Sequence, residues 1–158
     1  MKATIIICAL ALLAACKKSN SDAPAPLRAT INDKQVKVTH IQTNPDIHYN
    51  NRTLLSISGS IDGDDKKKLS VTMAYQDFDE GESIDLGTGG GGGFITYDDG
   101  AGNTYGAGEG YSFSGGTITL TLNDRAKRKI EGTFSGVLVQ SILNLNVSVN
   151  DGHFSTSY

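Results

Sequence analysis

A strict alternation of polar and apolar residues runs through Thr117-Ile118-Thr119-Leu120-Thr121-Leu122. A period of two places the three threonines on one face of a strand and the three apolar side chains on the other. Ser56 to Ile61, Leu69 to Tyr75 and Leu143 to Val149 alternate in the same way. This pattern is typical of antiparallel sheets with one buried and one solvated face, and it predicts an all-β fold.

The same period predicts which side chains face the core. We expect an apolar set to point inward, namely Ile118, Leu120, Leu122, Leu143, Leu145, Val147 and Val149. A polar set on the same two strands should point outward, namely Thr119, Thr121, Asn144 and Asn146. A shift of one residue would exchange the two sets, so the alternation is a specific prediction.

Turn-forming residues separate the alternating stretches. Asn32-Asp33 lies between two short predicted strands, Leu27 to Ile31 and Val36 to Ile41. Other bends contain an acidic residue followed by glycine, which favours positive φ: Asp62-Gly63, Glu80-Gly81, Asp99-Gly100 and Asp151-Gly152. Residues 124–130 form at most one turn before strand-like Glu131 to Val139. The chain therefore contains about eight to ten strands, arranged as an antiparallel β-sandwich or a flattened barrel.

The composition excludes some partners. The chain has 158 residues, 38% of them hydrophobic, a formal net charge of -3 and a pI near 5.5. Because phosphate backbones require a basic surface, we expect no nucleic acid partner. The length suits a single domain preceded by a processing segment.

The N-terminus indicates export and lipidation. Ala3 to Ala15 is an apolar run broken only by Thr4, and it is too short to span a bilayer, so residues 1–15 are predicted to be a signal peptide. It ends in Leu13-Ala14-Ala15-Cys16, which resembles the bacterial lipobox. That resemblance implies cleavage before Cys16 and attachment of acyl chains to Cys16, so we expect a lipid-anchored protein of the cell envelope, in the outer membrane.

A polar segment separates Cys16 from the predicted domain. Residues 16–26 contain Pro24 and Pro26 and no apolar surface to bury, so they should form a disordered tether. A single β domain is expected over residues 27–158. Cys8 leaves with the signal peptide, and the mature chain then contains only Cys16 and no intramolecular disulfide.

One segment departs from the alternating pattern. Thirteen of the 30 residues from Gly87 to Gly116 are glycine. Short strands are predicted at Asp85-Leu86 and at Phe94 to Tyr97, and the remainder is expected to be mobile loop. Tyr97, Tyr105 and Tyr111 lie in this segment, and they are the candidate ligand-loop residues because aromatic rings suit the C–H faces of sugars. Phe94, Tyr97 and Phe113 can equally be core residues of short strands.

Four short motifs occur in order along the predicted domain. They are the hairpin Ala29-Thr30-Ile31-Asn32-Asp33-Lys34, the strand Gly116 to Thr121 with nearby Asp124, the strand Ile130 to Gly136, and the turn Asn150 to Phe154. Together these motifs resemble a group of small Bacteroidetes-type lipoproteins of unknown function. The likeness extends from Leu27 to Phe154, while the glycine run Gly89 to Gly93 departs from the pattern. The resemblance implies an all-β fold and surface tethering, and it carries over no catalytic residue.

Motifs for catalysis and cofactors are incomplete. Gly87 to Gly92 matches G-x-G-x-x-G, but strand-like residues follow it where a phosphate cradle needs a helix, so no nucleotide is expected. Gly110 to Ser114 falls short of the serine hydrolase motif G-x-S-x-G. His40, His48 and His153 could pair with Asp46 or Asp151, but they lack the spacing of a zinc site.

Calcium is the most reasonable ion for the acidic turns at Asp62 to Asp65 and Asp77 to Glu82. Neither turn fits a twelve-residue calcium loop, and Lys66 to Lys68 follow the first, so solvated turns are the preferred interpretation and no metal or other cofactor is predicted. The sequence thus predicts a non-catalytic binding or accessory domain on a lipid anchor. The alternatives are a glycan- or peptide-capture subunit beside an outer-membrane transporter, or a hydrolase.

Overall fold

Ten β-strands make up the fold in a computed structural model of the chain, which describes residues 25–87, 92–111 and 114–158. Their bounds are β1 (Leu27–Ile31), β2 (Lys34–Tyr49), β3 (Arg52–Ile61), β4 (Asp64–Met73), β5 (Ser83–Asp85), β6 (Gly93–Asp99), β7 (Thr104–Gly108), β8 (Gly115–Asp124), β9 (Lys129–Gln140) and β10 (Leu145–Ser157). The prediction of an all-β fold with eight to ten antiparallel strands is confirmed.

Eight of the strands close into an antiparallel barrel. Around the barrel the order is β1, β2, β3, β4, β6, β7, β9 and β10, and β10 pairs again with β1. The closure between β7 and β9 is narrow, with Gly106 opposite Val139. Closure leaves the N-terminal strand paired on both sides, so β1 offers no free edge to another chain.

The two remaining strands extend the sheet from β9. β8 pairs with β9 along most of its length, and β5 pairs with the far side of β8. Ile84, Ile118 and Leu120 are buried in the same core as the barrel strands, so this ribbon covers the barrel where β7 and β9 diverge. A Cβ atom at Gly93, at the start of β6, would lie 3.2 Å from Cδ1 of Ile118.

Three hairpins have tight two-residue turns, and the turns at Asn32-Asp33 and Asp62-Gly63 are those that the sequence predicts. Asn32 and Asp33, Asn50 and Asn51, and Asp62 and Gly63 all have positive φ at both positions. Two successive positive-φ residues match the right-handed twist of the flanking strands, and asparagine, aspartate and glycine tolerate this conformation best. These turns set the register in which Leu27, Ile57 and Leu69 point inward.

The inward and outward assignment holds on β8 and fails at the start of β10. Ile118, Leu120, Val147 and Val149 are buried as predicted, and Thr119, Thr121, Asn144 and Asn146 are partly or wholly exposed. The prediction for Leu143 and Leu145 is wrong, since their exposed fractions are 56% and 47%. Leu122 is only half-buried, next to a register shift between Leu120 and Leu122.

The reason for the error at Leu143 and Leu145 is the length of the β9–β10 hairpin. Leu145 pairs with Gln140 at the outermost rung, and Ser141 to Asn144 form the connecting turn. The tip extends past the core, so Ile142 is 89% exposed. The alternation of polar and apolar residues continues through the hairpin tip, but the apolar side chains there have no core beneath them.

Two turn and loop predictions are also corrected. Asp151-Gly152 is not a bend between strands: it lies inside β10, at a register shift between Val149 and Gly152, with φ of 49° at Asp151. The strand predicted at Phe94 to Tyr97 is present as β6, but the rest of the segment from Gly87 to Gly116 is not all loop, because Thr104–Gly108 forms β7 and pairs with β6.

Candidate functional site

Tyr97 and Tyr105, two of the three tyrosines predicted to form a ligand loop, lie on paired strands. They are directly opposite each other on β6 and β7, with ring centroids 5.8 Å apart and planes inclined by 26°. Tyr105 is buried within the core, and the partly buried Tyr97 packs against the core. Burial, with Asp99 nearby, raises the pKa of the Tyr97 hydroxyl above its ordinary value.

Tyr111 lies on the opposite face of the same hairpin. Its ring occupies the space that a Cβ atom at Gly106 would fill, and Gly106 points away from the core because its neighbours Tyr105 and Ala107 point into it. Burial raises the pKa of the Tyr111 hydroxyl as well. The sheet therefore separates Tyr111 from Tyr97 and Tyr105, so the three tyrosines do not form one surface, and their role in ligand binding stays a prediction.

A polar pocket of about 440 Å³ lies beside a bulge in β2, lined by His40, Gln42, Ser58, Gly59, Ser60, Asp65 and Lys68. His40 has a φ of 49°, and the register with β3 shifts between Thr39 and Gln42. A Cβ atom at Gly59 would lie 2.6 Å from the carbonyl oxygen of Thr39, so the bulge approaches β3 at a position that only glycine permits.

The pocket brings together a serine, an aspartate and a histidine, but not in a catalytic order. Ser60 Oγ donates a hydrogen bond to Asp65 Oδ1 at 2.7 Å, and His40 Nδ1 lies 3.3 Å from the same oxygen. The hydrogen bond from Ser60 is the main cause that lowers the pKa of the Asp65 carboxyl group, and the contact with His40 is the second. The lowered pKa makes this carboxylate a weaker base. A nucleophilic serine needs a histidine in contact with its hydroxyl, and here the hydroxyl proton is directed at Asp65 instead. The cluster fastens β2 to the β3–β4 hairpin.

The carboxylates of the two acidic turns have separate protein partners. The Lys37 backbone N–H donates a hydrogen bond of 3.1 Å to Asp62 Oδ1. The Lys66 backbone N–H donates one of 3.0 Å to Asp64 Oδ1. In the second turn, Asp77 lies 3.5 Å from Arg52 and Asp79 lies 3.2 Å from Arg125. Across the parts of the chain that the structure describes, no group of three or more His, Cys, Asp or Glu is placed to hold a metal ion.

A second polar surface, which we call the polar row, crosses five strands on the outer face of the sheet. Its members occupy directly paired positions, in the order Arg28 (β1), His153 (β10), Thr133 (β9), Thr119 (β8) and Ser83 (β5). Each faces outward because its strand neighbours, such as Leu27, Phe134 and Phe154, are buried. At about 4.8 Å between strands the row is about 19 Å long.

Four members of the polar row, Arg28, His153, Thr133 and Thr119, form one wall of a groove of about 510 Å³. Thr117, Ser135, Asn150 and Asp151 line the groove one step further along the strands. Asn150 and Asp151 both lie opposite Ser135, because the bulge in β10 inserts an extra residue there. Bulges redirect side chains, and this one adds a carboxamide and a carboxylate to a wall of hydroxyl groups.

His153 is the least satisfied side chain of the groove. Its Nδ1 atom is buried and has no hydrogen-bond partner among the described residues. Burial lowers the pKa of His153, and the nearby Arg28 guanidinium lowers it further. The Glu131 carboxylate raises this pKa, but by less. The imidazole is therefore neutral at pH 7, with one nitrogen able to donate a hydrogen bond and the other able to accept one.

A third surface lies at the end of the barrel where the chain enters β1. The Tyr75 and Tyr158 rings meet edge to face with centroids 4.7 Å apart, and the Arg128 guanidinium lies 5.5 Å from the centre of the Tyr158 ring. The backbone N–H of Tyr158 donates to the Arg128 carbonyl, and that of Ser155 donates to the Pro26 carbonyl. These contacts hold the end of β10 against the β8–β9 turn.

Some predicted features lie outside the described residues. They include the signal peptide at residues 1–15, the lipid-attachment residue Cys16 and the tether as far as residue 24. Residues 88–91 of the glycine run and residues 112–113 of the G-x-S-like motif also lie outside them. Within the described ranges, no helix has the length and hydropathy that crossing a bilayer requires.

The chain was compared with models of known protein families, with curated proteins and with solved structures, and no match was found.

The polar row is the feature that sequence analysis missed. Its members are scattered between Ser83 and His153, with Arg28 further upstream, and they meet only through strand pairing. The one local signal was the outward-facing T-x-T pattern of β8, which was interpreted as ordinary solvated surface. From the sequence, His153 is a possible partner for Asp46 or Asp151 and carries no site prediction of its own.

Proposed function

We propose that the protein is a lipid-anchored lipoprotein of the cell envelope, and that its barrel is a non-catalytic binding or accessory domain. The observation that carries this proposal is Leu13-Ala14-Ala15-Cys16, followed by a polar segment that leads into β1 at Leu27. At no more than about 3.6 Å per residue, residues 17–26 extend to at most about 36 Å. The anchor would therefore hold the barrel close to the bilayer.

The arrangement of the described polar side chains supports the binding role. Ser60 donates to Asp65 and not to His40, and the carboxylates of the acidic turns are held by separate partners. By contrast, the groove along the polar row offers hydrogen-bonding groups on a rigid sheet. A preformed groove with convergent polar groups suits recognition of a ligand.

Glycan capture is the second candidate function, and the polar row favours it over peptide capture. Peptides that bind sheets commonly add a strand to a free edge. Here β1, β9 and β10 are paired on both sides, so the groove lies on a closed sheet face. Its exposed lining consists of hydroxyl, imidazole, guanidinium, carboxamide and carboxylate groups, which match the hydroxyl groups of a sugar.

Metabolic labelling with palmitate tests the proposed anchor in the native host. The wild-type protein should incorporate label, whereas Cys16→Ala should remain an unlabelled precursor near 16.7 kDa. Cys8→Ala is the matched control, because Cys8 lies in the predicted signal peptide, and it should be cleaved and labelled normally. Efficient cleavage of Cys16→Ala without label would show that an ordinary signal peptidase acts here, which contradicts the proposal.

A further inference from the structure

We propose that the groove along the polar row binds an oligosaccharide that carries carboxylate groups, with an acidic sugar at Arg28 and the following sugars along His153, Thr133 and Thr119. This inference rests on the proposed binding function and names the ligand class of that site. It moves the glycan site from the three tyrosines to a surface formed by five strands.

The cationic end of the polar row supplies the acidic preference. Lys37 on β2 is paired with Arg28, so two positive side chains lie side by side and face outward at the end of the row. Among the described residues, neither side chain has a carboxylate within 4.0 Å. An arginine can hold a carboxylate through two parallel hydrogen bonds. Asp151 lines the same groove, but neither it nor another described carboxylate lies within 4.0 Å of the Arg28 guanidinium.

The middle of the row supplies contacts for sugar hydroxyls. A neutral imidazole can both donate and accept, and so can a hydroxyl group, which matches the dual character of a sugar hydroxyl. The Nδ1 atom of His153 is buried and lacks a protein partner, so a ligand hydroxyl would contact this ring at its other nitrogen, Nε2. Thr119 is already fixed by a 2.8 Å hydrogen bond between its Oγ1 and Ser83 Oγ.

The shape of the groove suits a linear chain rather than a single compact ligand. Paired residues on neighbouring strands repeat about every 4.8 Å, so the row presents polar groups at regular intervals over about 19 Å. The groove has a volume of about 510 Å³ and no exposed aromatic ring, since its one aromatic residue, Phe134, is 3% exposed. Recognition would therefore come from hydrogen bonds and charge rather than from ring stacking.

Titration calorimetry of the detergent-solubilised full-length protein tests this inference with tetragalacturonate as the probe. We expect saturable binding, at least tenfold weaker binding for Arg28→Ala, and about three- to fivefold weaker binding for Thr133→Val, which removes one hydroxyl but keeps the side-chain shape. The matched controls are Lys34→Ala, at the β1–β2 turn, and Thr121→Val, on β8 outside the groove, and both should bind as the wild type does. Thermal unfolding of each variant checks that the barrel is intact.

Two comparison ligands distinguish sugar recognition from simple charge attraction. A neutral galactose tetrasaccharide should bind at least tenfold more weakly than tetragalacturonate, and a tetraglutamate peptide should also bind at least tenfold more weakly. Equal binding of the peptide, unchanged binding by Arg28→Ala, or no heat of binding at millimolar tetragalacturonate would each overturn the inference. Palmitate labelling of Cys16 is independent of these results, so the lipoprotein proposal can fail or survive separately.

Discussion

The ring of Tyr111 covers Gly106 on the outer face of β7, where any larger residue would collide with it. This contact joins the β7–β8 connection to the barrel at the narrow seam between Gly106 and Val139. The glycine is needed here for close approach and not for an unusual backbone conformation, since its φ is not positive.

Substitution of Gly106 should therefore destabilise the barrel. Gly106→Ala is expected to lower the free energy of unfolding by about 1–3 kcal/mol, because the new methyl group must displace an aromatic ring. Gly115→Ala is the matched control, since a Cβ atom there meets nothing within 4 Å. Urea denaturation of both variants measures the difference, and equal stabilities would contradict the packing of Tyr111 on Gly106.

The inward face of the sheet predicts a second contrast in stability. Leu120 is fully buried, so Leu120→Ala should cost about 2–5 kcal/mol, while Leu145→Ala, at the exposed end of β10, should cost less than about 1 kcal/mol. Chemical denaturation of the two variants provides the measurement. A cost at Leu145 as large as that at Leu120 would mean that the hairpin tip packs against part of the molecule.

The alternating residues made the strands predictable, whereas the pairing of distant strands was not. Asn32 and Asp33 identify a tight hairpin because their conformational preferences are local. The closure of β10 onto β1 depends on contacts between residues more than 110 positions apart, such as Ile31 and Val149, for which the local sequence carries no signal. Leu143 and Leu145 show the limit of periodicity, because alternation gives the facing of a residue but not whether a core lies beneath it.

The candidate site was unpredictable for the same reason. The predicted tyrosines are close in sequence, and the sheet places Tyr105 in the core and Tyr111 on the opposite face. Arg28, Thr119 and His153 are far apart in sequence and become neighbours only in the observed strand order. The bulge at Asp151 looked like a turn because the aspartate-glycine pair favours positive φ in both settings.

Stability should depend on pH through His153. Because burial and Arg28 lower the pKa of His153 in the barrel, the unfolded chain binds more protons between that lowered pKa and the ordinary histidine value of about 6.5. The neutral His153 side chain therefore makes its full contribution to the free energy of unfolding above about pH 6.5. That contribution is lost as the pH falls from about 6.5 toward the lowered pKa of His153. The pKa values of Asp65, Asp99 and Asp124 are also lowered, but they act below the ordinary aspartate value of about 3.9, in a separate range.

Urea midpoints measured from about pH 8 to about pH 5 test this dependence. The wild type should lose stability as pH falls below about 6.5, and His153→Gln, which keeps a polar side chain but cannot titrate, should show a smaller decrease. Identical slopes for the two proteins would mean that His153 titrates normally in the folded state.

Hydrogen exchange should distinguish the hairpin from the remainder of the glycine-rich segment. Amides of β6 and β7 that pair within the sheet, such as those of Ile95 and Ala107, should exchange slowly, since both residues are buried and lie in the ladder. Mass spectrometry of peptides covering residues 93–108 measures this protection. Exchange there as fast as at the exposed tip around Ile142 would contradict the closure of the barrel through β7.

The mass of the N-terminal peptide from protein extracted from native membranes tests the central claim most directly. The account predicts that this peptide begins at Cys16 and carries the added mass of a thioether-linked diacylglycerol and an amide-linked acyl chain. A peptide that begins at any other residue, or an unmodified Cys16, would contradict the claim that the barrel is held at the membrane by a lipid anchor.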